Sequence, residues 1–244
     1  MLVSHQHRFI YTKTAKTAGT SVESFFERFC MPEGEWQQEH SRDEYRSSTG
    51  IIGYRGVDIP AGTIWWNHMP AISIRKELGV DIWDKYFKFC VVRNPYEKCI
   101  SAYEHFGRYQ DEPSEVSDVN ETEGLTDEQR RFFYYLKSAA PDDRDRYVID
   151  GEFCLDDVIR YESLEDGIHR ICQRLSLPCD MEYLPTFKQG YRRPNATGEN
   201  LYSTPARKQV EEQFAYEIEH FGYEYPYSHV GNLPSNFIRY HSKI

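Results

Sequence analysis

The sequence has no apolar run of about 18 residues, the length a helix needs to cross a bilayer, so no membrane span is expected. It has no C-x-x-C pair and no zinc-like spacing among Cys30, Cys90, Cys99, Cys154, Cys172 and Cys179. Cys90, Cys99 and Cys172 fall within apolar patterns, so the thiols read as reduced and mostly buried, and no metal site is expected. It has no excess of positive charge: 29 Lys and Arg stand against 39 Asp and Glu, a net charge of −10 at pH 7. That balance argues against general nucleic-acid binding, but not against a small anion held by local fields. Met1 to His7 carry no apolar signal core, which makes the cytoplasm the expected compartment. Internal repeats and heptads are missing too. What remains is a chain of 244 residues, 28% charged, with a mean hydropathy of −0.72. A chain of that length can bury a sizeable core without staples.

Apolar periodicity and caps supply the elements. Strands are expected at 8–12, 62–66, 86–92 and 158–161. The pattern Thr20-x-x-Glu23 predicts a capping box opening a first helix with Val22, Phe25, Phe26 and Phe29 on one face. Further helices are expected from Pro70 to Leu78, after Asn94-Pro95-x-Glu97, after Thr126-x-x-Gln129, after Ser163, and from Thr204-Pro205 to a stop at Gly222. Strands alternating with helices argue an α/β fold with a mainly parallel central sheet flanked by helices, whose ligands bind beyond the carboxyl ends of the strands. Two stretches read as loops: the acidic 108–124, and the turn-rich 188–203, which opens with Lys188, Arg192 and Arg193.

Two anion-binding signals stand at expected strand ends. The first is Lys16-Thr17-Ala18-Gly19-Thr20-Ser21, a tight turn feeding a helix N-terminus, where backbone N–H groups and the helix dipole favour negative charge. It departs from the Walker A pattern GxxxxGK[ST], because its lysine precedes the glycine by three positions. The second is Val91-Val92-Arg93-Asn94-Pro95 with Ser101 two turns into the following helix. An arginine at a strand end is a good bidentate phosphate ligand. Two such signals suggest a ligand with phosphates at both ends. His68 follows Thr63-Ile64-Trp65-Trp66 and precedes the Pro70 helix, whose N-terminus disfavours an imidazolium; it is the best general-base candidate, with His105 behind it. His5, His7 and His241 read as surface residues near the termini.

Together these residues resemble the sulfotransferase superfamily, closest to its carbohydrate-type branch of Golgi and soluble bacterial enzymes. The stretch 16–21 is similar to the family's 5′-phosphosulfate loop. The stretch from Arg93 through Ser101 to Tyr103 is similar to its 3′-phosphate motif. Weaker likeness extends to His68-Met69-Pro70-Ala71 with Leu78-Gly79, to Arg160-Tyr161-Glu162-x-Leu164 and to Phe221-Gly222-Tyr223. Thr14-Ala15 stands where Ile-Pro is usual and Lys98 where Arg is common; strand character and charge are kept.

The resemblance implies a P-loop-like three-layer fold, a single domain over 1–244, and transfer of a sulfuryl group from 3′-phosphoadenosine 5′-phosphosulfate (PAPS) to an acceptor hydroxyl on a small molecule or glycan, leaving the bisphosphate product PAP. Lys16, Thr17, Ala18, Gly19, Thr20 and Ser21 would hold the 5′ side. Arg93 and Ser101 would hold the 3′-phosphate, and no metal would be needed; the basic start of the 188–203 stretch, independently of the resemblance, offers Lys188 and Arg192 to fold over the donor. Catalysis would fall to Lys16 at the leaving oxygen and His68 as base. A small-molecule kinase on a phosphate-loop fold would instead need Mg²⁺ and an acidic residue where the strand ends in Arg93. A third reading is a nucleotide-binding protein without turnover. Acceptor identity and oligomeric state are not readable from the sequence.

Overall fold

The apolar runs ending in Phe9-Ile10-Tyr11 and Phe87 to Val92 form neighbouring strands, as their patterns predict. The computed structural model describes residues 1–108, 122–187 and 192–225. In chain order these form β1 (Leu2–Ser4), β2 (Phe9–Tyr11), α1 (Gly19–Glu27), β3 (Tyr45–Arg46), β4 (Gly50–Ile52), α2 (Ala71–Leu78), α3 (Val80–Lys85) and β5 (Phe87–Val92). Then come α4 (Pro95–Ala102), α5 (Asp127–Ala139), β6 (Val148–Ile149), β7 (Glu152–Phe153), β8 (Asp157–Arg160), α6 (Leu164–Leu175), α7 (Gly198–Leu201), α8 (Thr204–Gln213) and α9 (Ala215–Phe221). They fall into two compact units, 1–92 with 142–189 and 93–141 with 190–244. Among the described residues no helix is long and apolar enough to cross a membrane.

The first unit is built on a six-stranded sheet of order β3-β4-β1-β2-β5-β8. Its sheet is mixed rather than mainly parallel. β2, β5 and β8 run parallel, with Phe9 opposite Phe87 and Val92 opposite Arg160. β1 is antiparallel to both β2 and β4, and β3 to β4. Connection length explains the split: residues 5–8 are too few for the crossover of about a dozen that a parallel pair needs, so β1 and β2 must form a hairpin. One sheet face, with Leu2, Phe9, Tyr11, Phe89, Val91 and Ile159, packs against Val22, Phe25, Phe26 and Phe29 of α1 and Ile168, Ile171 and Cys172 of α6. Each such fully buried Phe side chain contributes about 1.5–3 kcal/mol. Gly167 lets α6 lie close to the sheet, since a Cβ there would meet Ile159 Cγ2 at 2.6 Å. Val3, Ile10 and Cys90, on the alternate face, are buried as well, which is why these strands read as unbroken apolar runs.

The second unit is helical. Tyr96, Cys99, Ile100 and Tyr103 pack against Phe132, Phe133 and Leu136 of α5, with Leu201, Val210 and Phe214 completing the core. Asn94 caps α4 by accepting from the Tyr96 N–H at 3.0 Å, and Thr126 with Gln129 forms a reciprocal capping box on α5. Both caps are as the sequence predicts. Of the six cysteines, Cys30, Cys90, Cys99 and Cys172 are buried and all six are free thiols.

Several expectations are corrected. No strand spans 62–66. Pro60 and Gly62, the latter at φ +89°, turn the chain there, and Trp66 makes only an isolated bridge to Tyr54. α1 begins at Gly19, so Thr20 lies inside the helix, and Glu23 is taken by cations instead of by a capping box. Ser163 precedes α6 without a side-chain cap, whereas α8 does begin at Thr204-Pro205, with Ser203 as its cap. The C-terminal helix divides at Phe214 before ending at Gly222 in the left-handed region. The described part of the 188–203 stretch is not a simple loop: it carries α7, with Ala196 and Leu201 buried. Lys188, His241 and residues 109–121 lie outside the described residues.

Candidate active site

β2 ends at Tyr11, and the chain then turns through residues 12–18 into α1. Thr14 ties this loop down. Its hydroxyl donates to the Val91 carbonyl of the parallel neighbour β5 at 2.5 Å and lies 2.8 Å from Thr17 Oγ1, which also reaches the Thr14 carbonyl at 3.2 Å. The Ala15 N–H donates to Asp143 Oδ2 at 2.9 Å. Lys16 and Ala18 have φ of 59° and 56°, whereas Thr17 between them does not share the positive sign. Such alternation turns successive N–H groups towards one concavity, a shape that holds anions. The Ala18 carbonyl accepts from the Ser21 and Val22 N–H groups; the N–H groups of Gly19 and Thr20, which open α1, have no carbonyl one turn back within the helix. A Cβ at Gly19 would crowd the loop, standing 3.0 Å from the Thr14 carbonyl oxygen and 3.1 Å from Lys13 Cγ. Lys16, Ala18 and Thr20 keep partial exposure, whereas Thr17 and Ser21 are buried, with Ser21 Oγ accepting from the Phe187 N–H at 3.4 Å.

A left-handed conformation costs an L-residue with a Cβ about 1–2 kcal/mol. Ala18→Gly is therefore expected to raise unfolding stability by about 1 kcal/mol in urea titrations. A destabilised variant would show that the Ala18 methyl is a packing element instead.

The lysine that the sequence reading passed over is Lys13. It is 2% exposed, and its Nζ donates to Thr20 Oγ1 at 3.2 Å and to Glu23 Oε2 at 2.7 Å. Glu23, fully buried, also accepts from Arg55 at 2.8 Å and from the Met1 α-amino group. Burial alone would push the Glu23 carboxyl up, but Lys13, the Met1 amine and Arg55 together hold it well below its ordinary value. A capping-box motif masked this role. A basic residue followed ten positions later by an acid on the inward face of the helix is the only sequence signal for it.

His68 sits in the same unit, at φ 57°. Its Nδ1 lies 3.1 Å from the Lys13 carbonyl oxygen. A carbonyl can only accept, so Nδ1 carries the proton and Nε2 keeps its lone pair. Burial, then Lys13, the Met1 amine and Arg146, pull its pKa down to about 3, against a raising effect of Glu23. The ring is neutral throughout the physiological range. His5 and His7, expected at the surface, are half-buried; His5 Nδ1 lies 3.1 Å from Tyr86 Oη, and burial lowers the pKa of both.

In the second unit, Arg93 precedes the cap of α4 with its side chain only 9% exposed. Its Nη2 lies 3.7 Å from Glu97 Oε2. Arg192 meets the same carboxylate at 2.5 Å and donates through Nε to the Ala196 carbonyl at 2.8 Å. Glu97 and Ser101, four residues apart, lie along one side of α4, and Arg93, just before its cap, reaches Glu97. Two guanidinium groups thus share one carboxylate. Arg193 is committed elsewhere, to the buried Glu104 at 2.7 Å and to Glu128. His105, the second base candidate, packs edge-on against Phe106.

Comparison with known proteins adds an independent line. The sequence model of the Sulfotransferase family matches residues 1–224, across both units. An uncharacterized protein of Archaeoglobus fulgidus is 26% identical over 114 residues, covering 47% of this chain and 88% of the relative. No solved structure matches the chain.

Proposed function

We propose, since the chain belongs to the sulfotransferase family, that it moves a sulfuryl group from PAPS to an acceptor hydroxyl, with a carbohydrate as the favoured acceptor class. The observation that carries this reading is the pairing, in one unit, of a donor-rich loop with a neutral imidazole whose Nδ1 is held 3.1 Å from that loop's own backbone. The loop's donor set is N–H groups, the Thr20 hydroxyl and the Lys16 ammonium, and it fits an oxyanion. The Gly19 position, which a Cβ would crowd, fits the close approach of a phosphate group to backbone.

PAPS, when bound, supplies an electrophilic sulfur and a phosphate leaving group. Lys16 and the first-turn N–H groups of α1 neutralise charge that grows on the departing oxygen. Thr17, Ala18, Gly19, Thr20 and Ser21 line the 5′ side. Arg93 and Ser101 take the 3′-phosphate, and Arg192, sharing Glu97 with Arg93, joins them. His68 Nε2 accepts the proton of the attacking hydroxyl while Nδ1–H stays on the Lys13 carbonyl. Nothing in this scheme calls for a metal.

The test is thermal shift with PAP and ADP, which carry two phosphates each, PAP one on the 3′ and one on the 5′ oxygen and ADP both on the 5′. PAP is expected to raise the melting temperature more than ADP at equal concentration, in the presence of a chelator. Equal shifts, or a strict need for Mg²⁺, would overturn the reading in favour of a kinase-like site. Arg93→Ala is expected to weaken PAP roughly tenfold to a hundredfold, as loss of a charge-assisted contact does, and to leave ADP nearly unchanged. An unaltered PAP affinity would remove Arg93 from the 3′-phosphate.

A further inference from the structure

Lys13 is a lysine that the proposed chemistry does not use, buried at 2% exposure three positions before Lys16. Its two ends meet two different parts of the site. The ammonium donates to Thr20 Oγ1 at 3.2 Å and to Glu23 at 2.7 Å. The carbonyl receives the His68 ring at 3.1 Å. A hydroxyl that accepts from an ammonium has its own proton left to donate elsewhere, so the Lys13 contact leaves the Thr20 O–H free to turn outward, where an anion can take it. The ring contact fixes which nitrogen of His68 bears hydrogen. Glu23, shared with Arg55, anchors the ammonium so that neither contact drifts.

We propose that Lys13 is the positioning residue of the site, its ammonium aiming the Thr20 hydroxyl at the bound anion and its carbonyl holding His68 with Nε2 free. This assignment rests on the sulfuryl-transfer reading for the identity of the anion, but the His68 half stands apart from it. The charged groups facing His68 are Lys13, the Met1 amine, Glu23 and Arg146. Lys13 is the largest of these influences and disfavours the imidazolium, so removing its charge lets His68 take a proton at higher pH.

Three readouts test it. In the unaltered protein, imidazole nitrogen NMR at pH 6 is expected to show a neutral His68 protonated at Nδ1. An Nε2–H tautomer or a charged ring overturns the proposal without any variant having to fold. Lys13→Met and Lys13→Gln are both expected to raise the His68 titration midpoint by at least about one pH unit, since each removes the cation. Lys13→Met is further expected to lose roughly tenfold in PAP affinity, whereas Lys13→Gln, which keeps an N–H donor for Thr20, loses about threefold or less. An unmoved His68 midpoint, or equal losses of PAP in the two variants, refutes the positioning role. If no variant and not even the parent binds PAP, the sulfuryl-transfer reading fails while the NMR result still decides the His68 half.

Discussion

His68→Asn is expected to bind PAP within about twofold of the parent and to transfer sulfuryl roughly 10²–10⁴ times more slowly, the usual loss when a positioned general base is removed. Asparagine is the better replacement because residue 68 has φ 57°, a conformation Asn adopts more readily than Ala. An alanine would mix a backbone cost into the result. The measurement is turnover of labelled PAPS against a panel of glycans, phenols and peptides, beside calorimetric PAP binding. Turnover within about threefold of the parent would hand the proton to another group. A pKa of about 3 makes His68 a weak base in the ligand-free chain. Its depression comes from burial and from neighbouring cations, and a multiply charged anion on the adjoining loop opposes the second cause. Bound PAP is therefore expected to raise the His68 midpoint. The sign for stability follows from the same shift. The folded value lies below the ordinary 6.5, so the benefit of a neutral buried ring is complete above 6.5 and is lost progressively as pH falls towards 3.

The loop 16–21 was legible because its signal is local: a glycine, hydroxyls and a lysine between a strand and a helix need only sequence neighbours to be recognised. The same holds for Asn94 and for Thr126 with Gln129, which cap helices as read. Lys13 was not legible, because its role depends on Glu23, on Arg55 from the far side of β4 and on a histidine 55 positions away. Glu97 read as an N-terminal helix residue; that it collects Arg93 and Arg192 needs a partner 95 positions off. The three-residue strands β1 and β4 are too short to show period-2 alternation, so the antiparallel half of the sheet escaped while the longer β5 did not. The strand misread at 62–66 shows the converse: Thr63-Ile64-Trp65-Trp66 has strand composition, but Pro60 and Gly62 turn the chain at its start.

Glu23→Ala is expected to cost about 3–5 kcal/mol of unfolding free energy, the penalty for breaking a buried ion pair from one side. The carboxylate lies within hydrogen-bond reach of the Met1 amine, Lys13 and Arg55, and none of its surface meets solvent. Arg55 retains Glu27, which in turn holds Arg42 at 3.1 Å, so the loss falls mainly on Lys13 and through it on Thr20. Acid should act the same way. Burial raises the Glu23 carboxyl, but the three cations outweigh it and hold the folded value well below 4.5. Its contribution is then complete above 4.5 and is lost as pH falls through the folded value. Urea titrations of the parent between pH 7 and pH 3 should therefore show stability falling on the acid side. Glu23→Gln, which keeps the shape and can still accept from Lys13, should lose less than Glu23→Ala and flatten that acid limb. A penalty below about 1 kcal/mol for Glu23→Ala, or an acid limb equally steep in Glu23→Gln, would mean that Lys13 is held by packing and not by charge. The site would then owe its geometry to the tight turn at Gly19 and to the Thr14 bonds alone, and PAP affinity would survive the loss of Glu23.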